Sequence, residues 1–371
     1  MKKLLALLIA VLLNLPVYAH DIEVTNEDGV TIYYNYINDE QELLVTYKTD
    51  GDNSYSGSVV IPDEVSYMNK TRKVTKIGER AFYNCTDLTS VTIPNSVTWI
   101  DNKAFDNCIS LKSVNISDLA AWCNINFVNV TTSNPLYYAH HLFLNGEEIF
   151  NLVIPNNVTI IKGSAFYGCS SLTSVSIPNG VTDIGSSAFR ECSSLTSITF
   201  PNSMKRIGND VFRKCSSLTF ITFPNSVTNI GTRAFDRCDN SVVISKIENP
   251  FNIKTNVFSN YNATLYVPKG TVDKYKATEG WNNFASIEEI NNEIEDKVTE
   301  VMAMPVLIQA NEGVLNITGA PEGAAISVYD TSGRQLGNST AKNSSAKITI
   351  PNTSKIAIIK IGDKSVKVSL K

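Results

Sequence analysis

The chain has 371 residues, of which 43% are hydrophobic and 18% charged, a composition that excludes wholesale disorder. Its formal net charge of −4 argues against a nucleic-acid-binding protein, which usually carries a basic surface. The three histidines leave little material for histidine-based catalysis or metal binding. The odd number of cysteines, seven, needs an explanation.

Residues 1–19 have the pattern of a secretory signal peptide. Lys2 and Lys3 precede an apolar run, and a short small-residue motif ends at Ala19, where we expect cleavage. The apolar run is shorter than the roughly 20 residues of a transmembrane helix, and no later segment is long enough to span a membrane. We therefore expect an exported protein, at the cell surface or in the medium, where disulfides can form.

The middle of the chain repeats with a period of 23 residues, within the range of leucine-rich repeats. Four of the six gaps between consecutive cysteines are 23 residues, and phenylalanines recur at the same interval. The cysteines lie at positions 85, 108, 123, 169, 192, 215 and 238. Stacked units of this size bury one continuous core, so the pattern predicts a solenoid.

Residues 172–194 show the layout of one unit. Alternation from Leu172 predicts a short strand, which Pro178 ends because proline cannot donate to a neighbouring strand. The apolar spacing over 184–195 is near-helical and predicts a short helix or 3₁₀ turn. The fold class expected is a solenoid of short parallel strands and short helical turns.

The cysteine column leaves two alternatives open. Equivalent Cα atoms of stacked strands lie about 4.8 Å apart, which is compatible with disulfides between neighbouring units. The same positions belong to the core, where free cysteine packs as a small hydrophobic residue. In either case the odd count follows largely from the number of units. No close cysteine pair of the zinc-binding kind occurs, so no metal site or cofactor is expected.

Residues 88–108 (LTSVTIPNSVTWIDNKAFDNC) resemble the BspA-like leucine-rich repeats of bacterial surface proteins, and depart from them at Asp101, where glycine is usual. The resemblance extends the solenoid over 67–287. Residues 118–155 are similar to a longer variant unit, in which Asn145 and Gly146 between apolar runs also predict a type I′ hairpin.

Both ends of the solenoid resemble caps of this family. Residues 20–66 are similar to its N-terminal β segment, and residues 264–287 to its closing cap. Trp281 and Phe284 are expected to cover the last open face of the core.

An acidic linker is expected over 288–305, followed by a small all-β sandwich over 306–371. The pattern VYDTSGR and the lysine at the end of the chain resemble the C-terminal sorting domains of Bacteroidetes secreted proteins. The region departs from that family at Met304, Pro305 and Val306, where a Pro-Asn-Pro motif is usual. A plain accessory sandwich is the alternative.

The strand face opposite the core is the candidate ligand-binding site, because solenoids bind partners through such extended faces. The alternative is that serine and threonine merely suit an exposed strand. The predicted binding residues are Ser90, Thr92, Ser174, Ser176, Ser197, Thr199, Phe220 and Thr222.

No catalytic motif is recognised in the sequence, so we expect a protein that is not an enzyme. The resemblance implies adhesion to an extracellular or host protein. A glycan-binding accessory protein and a structural envelope component without a diffusible ligand are the alternatives.

Overall fold

A computed structural model describes most of the chain after the predicted signal peptide. The predicted signal peptide, 1–19, and residues 293 and 295–305 of the predicted linker lie outside the described residues. The described residues are 20–49, 53–239, 241–292, 294, 307–311, 314–318, 320, 323–330, 332–342, 345–351, 356–361 and 364–369. They fall into two compact units: one consists of the described residues up to Glu148 with Lys162–Cys169, and the other of Ile149–Ile161 with the described residues from Ser170 onward.

The first unit holds twelve described strands and two short helices, α1 (Leu119–Cys123) and α2 (Leu136–Ala139). Its strands are β1 (Ile22–Thr25), β2 (Thr31–Ile37), β3 (Glu42–Thr46), β4 (Gly57–Val60), β5 (Glu64–Tyr67), β6 (Lys70–Ile77), β7 (Leu88–Thr92), β8 (Trp99–Ile100), β9 (Ser113–Ile116), β10 (Asn126–Phe127), β11 (Leu142–Leu144) and β12 (Glu147–Glu148).

Two sheets are formed by these strands. One has the order β1-β2-β3-β6-β8-β10, with β5 beside β6, and changes from antiparallel to parallel pairing between β3 and β6. The other has the order β12-β11-β9-β7-β4 and is parallel except for the β11–β12 hairpin. The predicted hairpin turn is confirmed, since Asn145 and Gly146 both have positive φ, 52° and 84°.

In the second unit, the repeats build two all-parallel sheets, ordered β13-β15-β17-β19-β21-β22-β23 and β14-β16-β18-β20. Their strands are β13 (Asn151–Val153), β14 (Ile160–Ile161), β15 (Ser174–Ser176), β16 (Asp183–Ile184), β17 (Ser197–Thr199), β18 (Arg206–Ile207), β19 (Phe220–Phe223), β20 (Asn229–Ile230), β21 (Val242–Ser245), β22 (Thr264–Val267) and β23 (Ser286–Glu289). Stacked parallel strands with a common period confirm the leucine-rich repeat solenoid.

The segment after each second-sheet strand is a run of turns and not the continuous helix that the apolar spacing allowed. In the repeat at 184–195, the N–H groups of Ala188, Arg190 and Cys192 donate to the carbonyl three residues back, as in a 3₁₀ turn. The N–H groups between them donate to carbonyls of the next repeat, for example Phe189 to Val211 at 3.0 Å. An N–H group committed to the next repeat cannot also close a helical turn.

This alternation requires left-handed backbone at two places in each turn segment. Ser187 and Glu191 have φ of 58° and 64°, and Asp210 and Lys214, one repeat later, have 54° and 64°. Left-handed backbone is uncommon outside glycine and costs energy. The inter-repeat hydrogen bonds therefore hold the backbone in a conformation that the local sequence does not favour.

The core of the second unit is a column of stacked aromatic rings on the turn side. Phe189, Phe212 and Phe235 are at most 1% exposed, and their neighbouring ring centroids lie 5.4 Å apart with nearly parallel planes. The cap helix α3 (Val272–Ala277) and a 3₁₀ turn (Trp281–Asn283) follow β22. Trp281 is fully buried, with its ring centroid 6.0 Å from that of Phe223, as expected for a residue covering the end of the core.

Seven described strands follow in the C-terminal region, in two antiparallel sheets. The sheets have the orders β24-β25-β28 and β27-β26-β29-β30, and both contribute to one buried cluster that includes Leu315, Ile348, Ile326 and Ile359. This is the small sandwich that the sequence predicts. Its strands are β24 (Leu307–Asn311), β25 (Val314–Thr318), β26 (Ala325–Tyr329), β27 (Gln335–Thr340), β28 (Ser345–Thr349), β29 (Ile356–Ile361) and β30 (Lys364–Ser369).

Candidate binding face

The eight predicted binding residues lie on four strands, each in one of the two units. Ser90 and Thr92 are on β7 in the first unit, and the other six are on β15, β17 and β19 in the second. The Ser90 hydroxyl accepts hydrogen bonds from the Ser113 hydroxyl and the Asn115 side-chain amide, both at 2.9 Å. This part of the face is cross-linked by its own polar groups.

In the second unit the outward residues form two rows that run across the parallel strands. The upper row is Asn151, Ser174, Ser197, Phe220 and Val242, whose residues are direct register partners. The lower row is Val153, Ser176, Thr199, Thr222, Ile244 and Tyr266. From β13 to β22 neither row contains a charged residue, and on β23 the register partner of Tyr266 is Glu288. We call the two rows together the strand face.

The eight predicted residues differ in how far their side chains are exposed to solvent. Ser176 and Thr222 are buried, at 6% and 4% exposure, and the other six are half-buried. Because neighbouring strands lie only about 4.8 Å apart, outward side chains shield one another along each row. The polar part of the strand face is therefore a crowded surface of small side chains and not a set of free ones.

A third row of threonines, which the alternation argument does not select, is more exposed than the predicted residues. Thr173, Thr196 and Thr219 are exposed and precede the upper row by one position. The Thr196 hydroxyl donates to the Thr173 carbonyl oxygen at 3.2 Å, and the Thr219 hydroxyl donates to that of Thr196 at 3.0 Å. Their recurrence in LTS and LTF marks them in the sequence. They extend the strand face with hydroxyl oxygens that keep acceptor capacity.

The strand face changes from polar to apolar along the second unit, and its apolar end is covered. Ile294 and Ile244 form a buried cluster, against which Phe220, Val242, Tyr266 and Ile290 pack. The sequence suggests a solvated linker from 288 onward. The described residues instead continue the sheet through β23 and place Ile290 and Ile294 on the strand face, because these two isoleucines can bury apolar surface despite the acidic residues around them.

All seven cysteines are buried free thiols, so the structure shows no disulfide in the cysteine column. Burial raises the pKa of the Cys85 thiol to about 11 and that of Cys238 to about 12. The Cys215 thiol donates to the Phe189 carbonyl oxygen at 3.1 Å. Protonated, buried thiols are poor nucleophiles, which fits a packing role.

Neither metal-binding clusters nor spanning helices are found where the structure is described. Within the described ranges no group of three or more His, Cys, Asp or Glu side chains could hold a metal ion. The helices described here are all too short or too polar to cross a membrane.

The repeats can now be compared with known proteins. Residues 62–134 and 138–264 match the BspA type leucine rich repeat region, in six copies. The chain belongs to this family. BspA-type leucine-rich repeats form scaffolds for protein–protein interaction, and this agrees with the extended, uncharged strand face. No curated protein is similar enough to match.

Several solved structures are similar to this BspA-type chain. A leucine rich repeat protein of T. pallidum is 21% identical over 73% of this chain and 92% of its own, with a TM-score of 0.33. A leucine rich cell surface protein from Faecalibacterium prausnitzii is 20% identical over 74% and 97%, with a TM-score of 0.31. The pneumococcal vaccine antigen PcpA is 14% identical over 74% and 99%, with a TM-score of 0.34.

Proposed function

We propose that the chain is an exported, cell-surface adhesion protein that binds an extracellular host protein through the strand face of its second unit. The observation that carries the proposal is the pair of uncharged rows, which present hydroxyl groups in parallel register from β15 to β17. Hydroxyls both donate and accept hydrogen bonds, and their short side chains lose little entropy on binding. The protein's task is then recognition and not catalysis.

The open part of this site consists of Ser174, Ser197 and Thr199, together with the exposed threonines beside them. Phe220 and Thr222 belong to the same face but lie towards its covered end. Ser90 and Thr92 lie on the first unit, where Ser90 accepts hydrogen bonds from Ser113 and Asn115. We therefore place the main partner contact on β15 and β17.

A pair of lysine substitutions tests the site. Replacing Ser197→Lys and Thr199→Lys together adds two charges to a neutral face, and binding to a panel of purified extracellular-matrix proteins should fall about tenfold or more. The matched control is Thr228→Lys with Asn229→Lys, two exposed positions on and beside β20 of the other sheet. Surface plasmon resonance should show unchanged binding for the control.

Two outcomes would contradict this proposal. Equal binding by the strand-face variant and its control would remove the site from β15 and β17. Binding to a glycan array without binding to any matrix protein would favour the glycan-binding alternative.

Export is tested at the ends of the chain. We propose removal of residues 1–19 and display at the cell surface, with the C-terminal sandwich serving either as a sorting domain or as an accessory domain. Mass spectrometry of the protein from cells and medium should find a mature N-terminus at His20. An intact Met1 in all fractions would contradict export, and the mass of the C-terminal peptide shows whether the sandwich is removed.

A further inference from the structure

The one exposed tryptophan of the chain lies in the first unit, on a sheet that carries none of the eight predicted binding residues. The chain has three tryptophans. Trp122 and Trp281 are at most 1% exposed, whereas Trp99 is 39% exposed. Trp99 is the first residue of β8 and points outward, because the next residue, Ile100, is fully buried and successive residues of a strand face opposite sides. The sheet therefore presents a large aromatic ring to solvent.

The other repeats do not need an aromatic ring at this position. Residues 95–101 and 156–162 align as NSVTWID and NNVTIIK, so Ile160 on β14 is the equivalent of Trp99. Ile160 is 38% exposed, and a single exposed aliphatic side chain is ordinary on protein surfaces. In the later repeats the register partners along the same sheet are polar: Asp183, Arg206 and Asn229. The solenoid therefore forms without an aromatic ring here.

Polar side chains stand on both sides of the Trp99 ring. Lys76 on β6 and Asn126 on β10 are its direct register partners, on parallel strands about 4.8 Å away in either direction. Both side chains are half-buried. The lysine ammonium donates hydrogen bonds, and the asparagine amide both donates and accepts them. The aromatic ring thus lies between two hydrogen-bonding groups of different kinds.

A carboxylate lies two residues further along the chain. Asp101 is half-buried and follows the buried Ile100, so alternation returns it to the side of Trp99. Its Oδ1 atom accepts a hydrogen bond from the Asn102 N–H at 2.7 Å, and a carboxylate keeps further acceptor positions after one such bond. The equivalent position in a later repeat is Gly231. The tryptophan and the carboxylate are therefore features that this repeat has and that one lacks.

We propose that Trp99, Lys76, Asn126 and Asp101 form a glycan-binding site, which takes one pyranose residue of an extracellular oligosaccharide. A pyranose ring has an apolar C–H face and a rim of hydroxyl groups. The C–H face packs on the indole ring and removes both apolar surfaces from water. The rim meets donors and acceptors on either side of the ring. This site is separate from the strand face and does not depend on the proposed adhesion function.

The mixture of groups favours a sugar over other ligands. An apolar protein segment seated on Trp99 would bury the flanking amide and ammonium without hydrogen bonds, which costs free energy. A ligand rich in negative charge would be repelled by Asp101. Sugar hydroxyls both donate and accept, so they satisfy the ammonium, the amide and the carboxylate together.

A glycan array probed with the full mature chain tests the site. The printed ligands are mammalian oligosaccharides and bacterial polysaccharides, and the ones that bind identify the source of the sugar. Trp99→Ala should lower their signal about tenfold or more, and Asn126→Ala severalfold. The matched control is Ile160→Ala, which removes an equally exposed apolar side chain from the equivalent position and should leave the signal within about twofold.

Tryptophan fluorescence shows whether the sugar contacts the ring. Iodide quenches exposed tryptophan, so Trp99 supplies the quenchable emission while the buried Trp122 and Trp281 are protected. The free oligosaccharide with the strongest array signal should reduce iodide quenching of the native chain about twofold or more. Trp99→Phe should lose the quenchable emission and keep more array signal than Trp99→Ala, because a smaller aromatic ring still packs against the sugar.

Three outcomes would overturn the proposal. The first is that the native chain binds no printed glycan. The second is an equal loss of signal in Trp99→Ala and Ile160→Ala. The third is a loss, in Trp99→Ala, of binding to enzymatically deglycosylated matrix protein, which would make the ring a protein contact.

Two controls keep these outcomes separate from failed folding and from the strand face. Thermal unfolding followed by circular dichroism shows whether Trp99→Ala is folded, and Trp99→Phe and Asn126→Ala decide the question if it is not. The variant with Ser197→Lys and Thr199→Lys should keep the native glycan signal. If it loses matrix binding or never had any, the adhesion proposal is decided without affecting this one.

Discussion

The strand face and the turn face of the second unit use the same 23-residue period in opposite ways. On the turn face, charged side chains form pairs between equivalent positions of consecutive repeats. Lys214 donates to Glu191 at 2.7 Å, and Arg213 donates to Asp236 at 2.9 Å. On the strand face, from β13 to β22, equivalent positions carry hydroxyls, an amide or apolar groups and no charge.

The difference follows from stacking. A solenoid places equivalent residues side by side, and like charges placed side by side repel. A charged column is stabilised where opposite charges are neighbours, as at Glu191 and Lys214 and at Arg213 and Asp236. Identical hydroxyls can stack without this penalty. The turn face joins its repeats by ion pairs, whereas the strand face joins them by neutral hydrogen bonds, such as that from the Ser174 hydroxyl to the Asn151 side-chain oxygen at 2.6 Å.

The largest expected contrast uses the same residue type on the two sides of one repeat. Phe212 is fully buried between Phe189 and Phe235, whereas Phe220 is half-buried and packs against the cluster of Ile244 and Ile294. We expect Phe212→Ala to lower the free energy of unfolding by about 3–5 kcal/mol and Phe220→Ala by about 1–2 kcal/mol. Urea denaturation followed by circular dichroism measures both. Equal losses in the free energy of unfolding would mean that Phe220 on the strand face stabilises the fold as much as the buried Phe212 does.

A glycine on the turn face should give the next largest effect. A Cβ atom at Gly231 would lie 2.5 Å from the backbone nitrogen of Asn209 and from the carbonyl carbon of Gly208. Because backbone cannot yield cheaply, Gly231→Ala should cost about 1–3 kcal/mol. Asp101, which occupies the corresponding place in an earlier repeat, already carries a side chain, so Asp101→Ala should cost less than about 1 kcal/mol. Similar urea midpoints for the two variants would contradict this, because they would mean that the backbones of neighbouring repeats move apart enough at Gly231 to accommodate the added methyl group.

The contrast between these two positions also shows what the sequence can predict. Alternation and period were enough for the parallel strands, and the Asn-Gly pair was enough for the hairpin at Asn145 and Gly146, because each depends on residues close in sequence or on one repeated position. The burial of Trp281 followed from the resemblance of residues 264–287 to a closing cap. The departure at Asp101 is visible in the sequence. Whether a side chain is tolerated at this position cannot be predicted from the sequence, because it depends on how closely the backbone of one repeat stacks on that of the next.

The conformation of the turn segments and the burial of Ile290 and Ile294 could not be predicted from the sequence, for physical reasons. Apolar spacing at Ile184, Ala188 and Cys192 fits a helix as well as a run of turns, and hydrogen bonds to the next repeat decide between them. Serine and glutamate do not favour left-handed backbone, so the residue types at 187 and 191 do not predict the positive φ of Ser187 and Glu191. The acidic composition after residue 288 predicts a solvated segment. The burial of Ile290 and Ile294 depends on contact with residues distant in sequence, such as Ile244. The binding role of the eight predicted residues remains a prediction.

Ionisation of the core thiols gives a smaller and pH-dependent effect on the turn side. The pKa of Cys238 is raised by burial from about 9 in the unfolded chain to about 12 in the folded chain. The stabilisation is therefore complete below pH 9 and is lost as the pH rises towards 12, at about 1.4 kcal/mol per pH unit for this thiol. Cys238→Ala should reduce the slope of unfolding free energy between pH 9.5 and 10.5 by about that amount. Ser197→Ala, which removes no titrating group, should leave the slope unchanged. An unaltered slope in Cys238→Ala would contradict the prediction, because it would mean that folding does not raise the pKa of this thiol.

The smallest contrast concerns the charge pairs themselves and separates the turn face from the second sheet. Asp210 is 9% exposed, accepts a hydrogen bond from Arg233 Nη2 at 3.1 Å and forms an ion pair with Arg233 Nε at 3.0 Å. Asp183 pairs with Arg206, whose side chain is 68% exposed. Asp210 also lies 3.4 Å from Arg213. Since a carboxylate between two arginines of lower exposure is screened less than one paired with the more exposed Arg206, Asp210→Asn should cost about 1 kcal/mol and Asp183→Asn less than about 0.5 kcal/mol. Raising the salt concentration to 1 M should shrink the smaller loss further and leave most of the larger one, as urea midpoints of the two variants and the native chain would measure. If both losses vanish in salt, the turn-face pairs are ordinary surface ion pairs and hold the repeats together no better than the hydroxyls of the strand face.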